Sequence, residues 1–303
     1  MKIVFVGTVE GSKIALDALV KAGFPPALVI TLPPEFAGRH SDYADLSTMA
    51  KSAGSAVLFT QDINARDVIE TMQRAELDLC LVIGWSQICK AEFRATTRYG
   101  CIGFHPAPLP RFRGRGVIPW TILQDEATSG STLFWLDEGT DSGPILLQTL
   151  FPITPEETAR SLYSKQVANL AAMLPQAVRL VQSGSAPSIP QDQTMASYCA
   201  RRTPEDGSID WHQTSRSILR FIRAVGEPYP GAFTYCREEK LFIDRAVQFS
   251  ESHRYIGLTG QVQSHTASGF TVRCGDGNCI EVVSWRGKLG GKPKLHCKLL
   301  GAH

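Results

Sequence analysis

A histidine ends the apolar run at residues 99–104, and Pro106, Pro108 and Pro110 follow His105 directly. Proline has a fixed φ and no N–H, so this alternation forbids both a helix and a regular ladder, and the run reads as a strand that stops at an imidazole. Arg111, Arg113 and Arg115 then crowd a short loop around Gly114, ahead of an apolar segment, 117–123, with the length and pattern of a helix. About one supersecondary unit later a second polar turn, DEGTDSG at 137–143, carries Asp137, Glu138 and Asp141. An imidazole beside a carboxylate can move a proton at neutral pH, and guanidinium groups hold anions bidentately. Taken singly, such a histidine bridges polar groups, the arginines form a solvated face and Asp141 caps its own turn; together they describe a site.

Open α/β sheets carry ligands at the C-terminal ends of their strands, which is where these residues fall. Residues 2–6 are a β-branched and aromatic run, expected to be buried on both faces. The turn after it places Gly7 and Gly11 without completing G-x-G-x-x-G, which argues against a dinucleotide cofactor. Ser12 is expected to cap a helix whose Ile14, Leu16, Leu19 and Val20 repeat until Gly23. Strands follow at 27–32, 56–59 and 77–83, the last running into Gly84-Trp85-Ser86-Gln87-Ile88, with helices at 43–53 and 65–74. Two more strands, 131–137 and 145–151, flank the acidic turn, and helical periodicity covers 156–181. Residues 1–184 therefore predict an α/β domain with a doubly wound, mostly parallel, Rossmann-like sheet. Residues 185–205, rich in Ser, Pro, Gln and Ala, read as a linker. In 206–303 a helix with Ile218, Leu219, Phe221, Ile222 and Val225 on its apolar side precedes five short alternating strands, the pattern of a small OB-like β-barrel.

These motifs resemble the formyltransferases that use 10-formyltetrahydrofolate, a family that includes the methionyl-tRNA, sugar-nucleotide and glycinamide ribonucleotide enzymes and the formyltetrahydrofolate hydrolase domain. The family loop runs Asn-x-His-Pro/Ala/Gly-x-Leu-Leu-Pro-x-x-x-Gly, with a later Asp-x-Gly turn. His105, Leu109, Pro110, Gly114 and Thr140-Asp141-Ser142-Gly143 match it. RRTPEDGSIDWH at 201–212 and IRAVGEPYPGAFTY at 222–235 resemble the C-terminal domain of the sugar-nucleotide members, especially those acting on UDP-4-amino-4-deoxyarabinose. The likeness spans essentially the whole chain.

The resemblance implies attack of an acceptor amine on the formyl carbon of 10-formyltetrahydrofolate, a tetrahedral oxyanion and release of the amine's proton. In that scheme His105 donates to the oxyanion. Asp141, the one carboxylate that precedes the Ser-Gly pair, hydrogen-bonds His105 and takes the proton directly or through a water. Trp85, Ser86, Gln87 and Ile88, with Asp137, Gly139 and Thr140, are expected to hold the folate. Pro106, Arg111, Arg113 and Arg115 are expected to face the acceptor, with arginines on phosphates, which puts a nucleotide-linked amino sugar first. The family's asparagine falls on Gly103, which has no side chain to donate. Losing one oxyanion donor typically costs about 2.7–4 kcal/mol of barrier. A substitute donor, Ser86, Gln87 or a backbone N–H, is therefore expected.

At 303 residues and 43% hydrophobic, the chain is long enough for two cores. A net charge of +2, from 31 basic and 29 acidic side chains, gives no general affinity for nucleic acid or anionic membrane. In the 33–42 loop only Arg39 and His40 offer positive charge, whereas the tRNA-acting relatives carry a longer basic insertion there, so a nucleic-acid partner is not expected. Methionyl-tRNA or hydroxyornithine as the acceptor, a hydrolase that releases formate, and a weakly catalytic folate-binding protein are the alternatives, the last kept open by Gly103. The eight cysteines include no C-x-x-C pair, and Cys274, Cys279, His296 and Cys297 match no common zinc spacing, so free thiols and no metal are expected. The opening MKIVFVG is too short for a signal peptide, and no apolar run reaches the about 18 residues of a membrane span. The expectation is a soluble, cytoplasmic protein with no membrane partner, for which a homo-oligomer is neither required nor ruled out.

Overall fold

The computed structural model describes residues 1–39 and 42–301, except for the side chain of Arg39. His40 and that arginine side chain, on which the reading of the 33–42 loop turned, lie outside the described residues. The chain forms two compact units. The first comprises Met1–Val117, Thr128–Pro152 and Tyr163–Ala200; the second comprises Ile118–Ala127, Ile153–Leu162 and Arg201–His303.

The chain opens with β1 (Ile3–Val6), α1 (Glu10–Lys21), β2 (Leu28–Thr31), α2 (Ser47–Ser52), β3 (Ala56–Phe59), α3 (Arg66–Ala75), β4 (Leu79–Val82) and α4 (Ala91–Arg94). It continues through β5 (Cys101–His105), β6 (Arg113–Gly114), α5 (Val117–Leu123), β7 (Thr128–Trp135), β8 (Ile145–Pro152), α6 (Ala159–Gln182) and β9 (Tyr198–Cys199). Seven strands make one sheet in the order β3-β2-β1-β4-β5-β7-β8; the first five are parallel, and β7 runs antiparallel to both its neighbours, β5 and β8. β1, β2 and β4 are buried at every position, as continuous apolar strands must be when both faces of a sheet are covered. On one face Ile3, Phe5, Leu79, Leu81 and Ile102 pack with Leu16, Leu19, Leu170, Leu174 and Val178. On the other, Val4, Val6, Cys80 and Cys101 pack with Val68, Met72 and Phe93. Each such side chain taken from water contributes about 1.5–3 kcal/mol before entropy is counted. The expected sheet is therefore observed, with β4 at its centre and β5 beside it.

Two local expectations change. α1 begins at Glu10, so Ser12 lies inside the first turn; its hydroxyl accepts the Thr8 and Val9 N–H groups and donates to the Ile83 carbonyl, tying α1 to the end of β4. The stretch read as a linker is part of the first unit as far as residue 200. Ile189 and Ile145 exchange backbone hydrogen bonds at 2.8 and 3.0 Å, Gln191 is buried, and β9 pairs in parallel with β6. A polar composition signals a flexible linker only when the backbone finds no partners, and here it finds them.

In the second unit α7 (Ser215–Val225) precedes β10 (Ala232–Cys236), β11 (Glu239–Gln248), β12 (Val262–His265), β13 (Phe270–Arg273), β14 (Cys279–Gly287) and β15 (Leu299–Leu300). These six strands form one antiparallel sheet, β12-β13-β14-β11-β10-β15. A bulge around Arg245 bends the long β11. The antiparallel bridge Gln261–Lys298 joins the two ends of the strand order, which gives the small barrel. The five expected strands are present, and β15 is an addition too short to register in a hydrophobic pattern. Among the described residues no helix is long and apolar enough to cross a membrane.

Candidate active site

His105 ends β5, opposite Thr132 of β7, and is 4% exposed. The proline loop after it is fixed by polar side chains, two of them, Thr132 and Gln166, buried. Gln166 Nε2 donates to the Pro106 carbonyl, Thr132 Oγ1 to that of Ala107 and Gln148 Nε2 to that of Leu109. The loop turns back so that the Phe112 carbonyl meets His105 Nε2 at 2.6 Å. A carbonyl only accepts, so Nε2 carries a proton and donates it there. Phe112 holds this position with φ at 61°, a left-handed conformation that a bulky residue adopts only under constraint. The constraint is Ser197, whose hydroxyl accepts the Phe112 N–H and whose carbonyl accepts that of Arg113.

With Nε2 committed, the working nitrogen is Nδ1, and Asp141 Oδ2 lies 3.5 Å from it. The same oxygen accepts the Gly114 N–H at 2.8 Å. Gly114 has φ at 98°, and a Cβ there would stand 2.6 Å from the Cys199 carbonyl, so only glycine presents that N–H. Asp137 is consumed within its own turn, accepting from the Gly139 N–H and the Ser142 hydroxyl, and Glu138 is exposed. Of the three carboxylates in the turn, Asp141 is the one that the structure places against His105. The pair can accept and hold a proton at Nδ1 and Oδ2. It offers no free Nε2–H to an oxyanion, a departure from the role expected of His105.

The arginines separate. Arg113 is 0% exposed and donates to Gln191 Oε1, Gln193 Oε1 and Tyr198 Oη, so the phosphate contact expected of it is not available. Its partners are amides and a phenol 78 to 85 residues away, which no local charge pattern signals. Arg115 is exposed and donates to the Ser86 carbonyl at 2.7 Å, linking the arginine loop to the loop after β4. Arg111 is also exposed, stacked over the Phe112 ring.

In the 84–88 loop, Gln87 accepts from the Ile63 N–H and the Trp85 indole and donates one N–H to the Gln61 carbonyl, so its amide ties this loop to the 61–63 segment. Trp85 packs partly on the core and Ile88 is 58% exposed. Gly139 and Thr140 are exposed on the acidic turn. Gln191, Ser197 and Phe112 were not legible as site residues, because the first two lie in the stretch read as a linker.

A family model described as formyl transferase matches residues 1–178, and one described as formyl transferase, C-terminal domain, matches 201–297. The methionyl-tRNA formyltransferase of Syntrophus aciditrophicus (strain SB) is 35% identical over 283 residues, covering 92% of this chain and 89% of the relative. That of Moorella thermoacetica is 32% identical over 282 residues, 92% of this chain and 90% of the relative. Among solved structures the sugar 3N-formyltransferase WlaRD, crystallised with dTDP and 5-N-formyl-THF, superposes with a TM-score of 0.68 at 21% identity, over 93% of this chain and 97% of that one. The N-formyltransferase of Helicobacter canadensis, in complex with folinic acid and dTDP-3-aminofucose, gives 0.67 at 21%, over 93% and 99%.

Proposed function

We propose that this chain, which belongs to the formyl transferase family, moves a formyl group from 10-formyltetrahydrofolate to the amine of a small, phosphate-bearing acceptor, a nucleotide-linked amino sugar in the first instance. The observation that carries the chemistry is the 3.5 Å approach of Asp141 Oδ2 to His105 Nδ1. The folate supplies the activated formyl group; Trp85, Ile88 and the backbone of the 84–88 and 137–141 loops would hold it. His105, fixed through Nε2, presents Nδ1, and Asp141 beside it receives the proton that the amine must lose on acylation. The Gly114 N–H orients the carboxylate by donating to Oδ2. Arg115 and Arg111 are the exposed cations that phosphates would meet. With Arg113 buried, phosphate recognition rests on these two.

The test is a panel: protein, 10-formyltetrahydrofolate and UDP-, GDP- or dTDP-linked amino sugars, with the product read by mass. A formylated sugar is expected. Formate release without acceptor would instead identify a hydrolase, and no turnover across the panel would overturn the sugar assignment.

A second reading, transfer to methionyl-tRNA, has its own support. The relatives named above are methionyl-tRNA formyltransferases, and 286–298 in the second unit carries Arg286, Lys288, Lys292, Lys294 and Lys298 with no acidic residue. Lys288, Lys294 and Lys298 are exposed. If this run grips tRNA, binding falls steeply with salt; a salt-insensitive or absent interaction returns the assignment to the small acceptor.

A further inference from the structure

Among the described residues Arg113 is the largest fully buried side chain, yet no carboxylate pairs with it. Burying a cation on neutral partners is costly, and such an arrangement persists where the hydrogen bonds hold something in place. Here they hold Gln191. Nε and Nη2 of Arg113 donate to Gln191 Oε1 at 3.1 and 2.6 Å. Gln191 Nε2 in turn donates to the carbonyls of Asp141 and Gly143, at 2.8 and 2.7 Å. A guanidinium only donates and a carbonyl only accepts, so the orientation of this amide is forced at both ends. The residue so gripped is Asp141, whose φ of 51° is left-handed and disfavoured for any residue but glycine and, less strongly, asparagine and aspartate. Its carboxylate is held from the opposite side by the Gly114 N–H, the neighbour of Arg113 in sequence.

We propose that Arg113 and Gln191 are positioning residues for catalysis. A guanidinium-to-amide relay fixes the backbone of Asp141, and through it the direction in which the carboxylate meets His105 Nδ1. Neither residue touches substrate; both act through Asp141. The inference rests on the proposed proton-accepting role of His105 and Asp141.

Gln191→Glu tests it most sharply. The carboxylate keeps the acceptor that Arg113 needs, and forms an ion pair with it, so the unit stays folded. The one nitrogen that donates to both the Asp141 and Gly143 carbonyls is replaced by a repelling oxygen. The expected result is a thermal midpoint close to wild type, a kcat lower by about tenfold or more, a KM for the folate within about twofold, and a D141N/Q191E double variant no slower than D141N alone. A kcat within about twofold of wild type, or losses that multiply in the double variant, would overturn the relay. Should Q191E not fold, Arg113→Lys keeps the charge and loses the fork, and an unaltered kcat there overturns it equally. If wild type turns over no acceptor, the proposed function has failed, and the relay is judged by NMR instead. The His105 Cε1–H resonance at fixed pH should move in Q191E (or in R113K, if Q191E does not fold) in the same direction as in D141N, and an unmoved resonance contradicts the relay.

Discussion

The Cβ that Gly103 lacks would stand 2.6 Å from Leu136 Cδ2. The side chain absent from β5 is therefore replaced by a leucine from just beyond β7, with two Phe134 ring carbons at 3.1 Å behind it. No room is left there for a bulkier substrate or an ordered water. Reintroducing the family's asparagine as Gly103→Asn overpacks the sheet and is expected to destabilise by about 1–3 kcal/mol. Adding Leu136→Ala should recover part of that loss. Urea midpoints measure both, and a G103N variant as stable as wild type would show that Leu136 yields freely.

Cys236 Sγ lies 2.9 Å from Cys297 Sγ, between β10 and the segment leading into β15. Burial first, and Cys297 second, push the Cys236 thiol up to about 12. Diamide, which accepts two electrons and two protons, is expected to convert this pair to a disulfide before the other cysteines react, faster as pH rises and the thiolate forms. Peptide mapping after differential alkylation reads it. The contrast is Cys80 and Cys101 on adjacent strands, where burial holds the Cys80 thiol up and the core denies access. A Cys80–Cys101 link appearing first would contradict this ordering.

Asp276 accepts the Ser215 N–H at 3.0 Å and the Ser215 hydroxyl at 2.9 Å, at the start of α7, and the Asn278 N–H at 3.0 Å. Burial alone would raise its carboxyl, but hydrogen bonds from Asn278 and Ser215 outweigh burial and leave it below its ordinary 3.8. A group lowered on folding stabilises the fold above its unfolded value and loses that contribution as pH falls through the folded one. Asp276→Ala should cost about 1 kcal/mol at neutral pH, the scale of a helix cap. The gap in thermal midpoint between wild type and D276A should narrow on acidification below about pH 4. A gap independent of pH would mean that the charge contributes nothing.

Much of the fold was legible because β1, β2 and β4 are buried on both faces, and such runs as residues 3–6 and 79–82 admit few other structures. His105 was legible because proline ends the strand beyond it, and Asp141 through the family resemblance, as the one carboxylate of its turn that precedes the Ser142-Gly143 pair. The two-residue strands β6 and β9 were not, since a pair of hydrogen bonds between residues more than eighty apart leaves no periodicity. Arg113 was misread for a related reason. An arginine's sequence neighbours say nothing of whether its guanidinium faces solvent or, as here, a buried amide.

Steady-state formyl transfer by wild type, His105→Asn and Asp141→Asn, with 10-formyltetrahydrofolate and the acceptor that wild type uses, tests the paired acceptor most directly. Each variant should lose roughly a hundredfold or more in kcat, with the KM for the folate little changed and the double variant scarcely worse than either single one. Single variants within two- or threefold of wild type would contradict it.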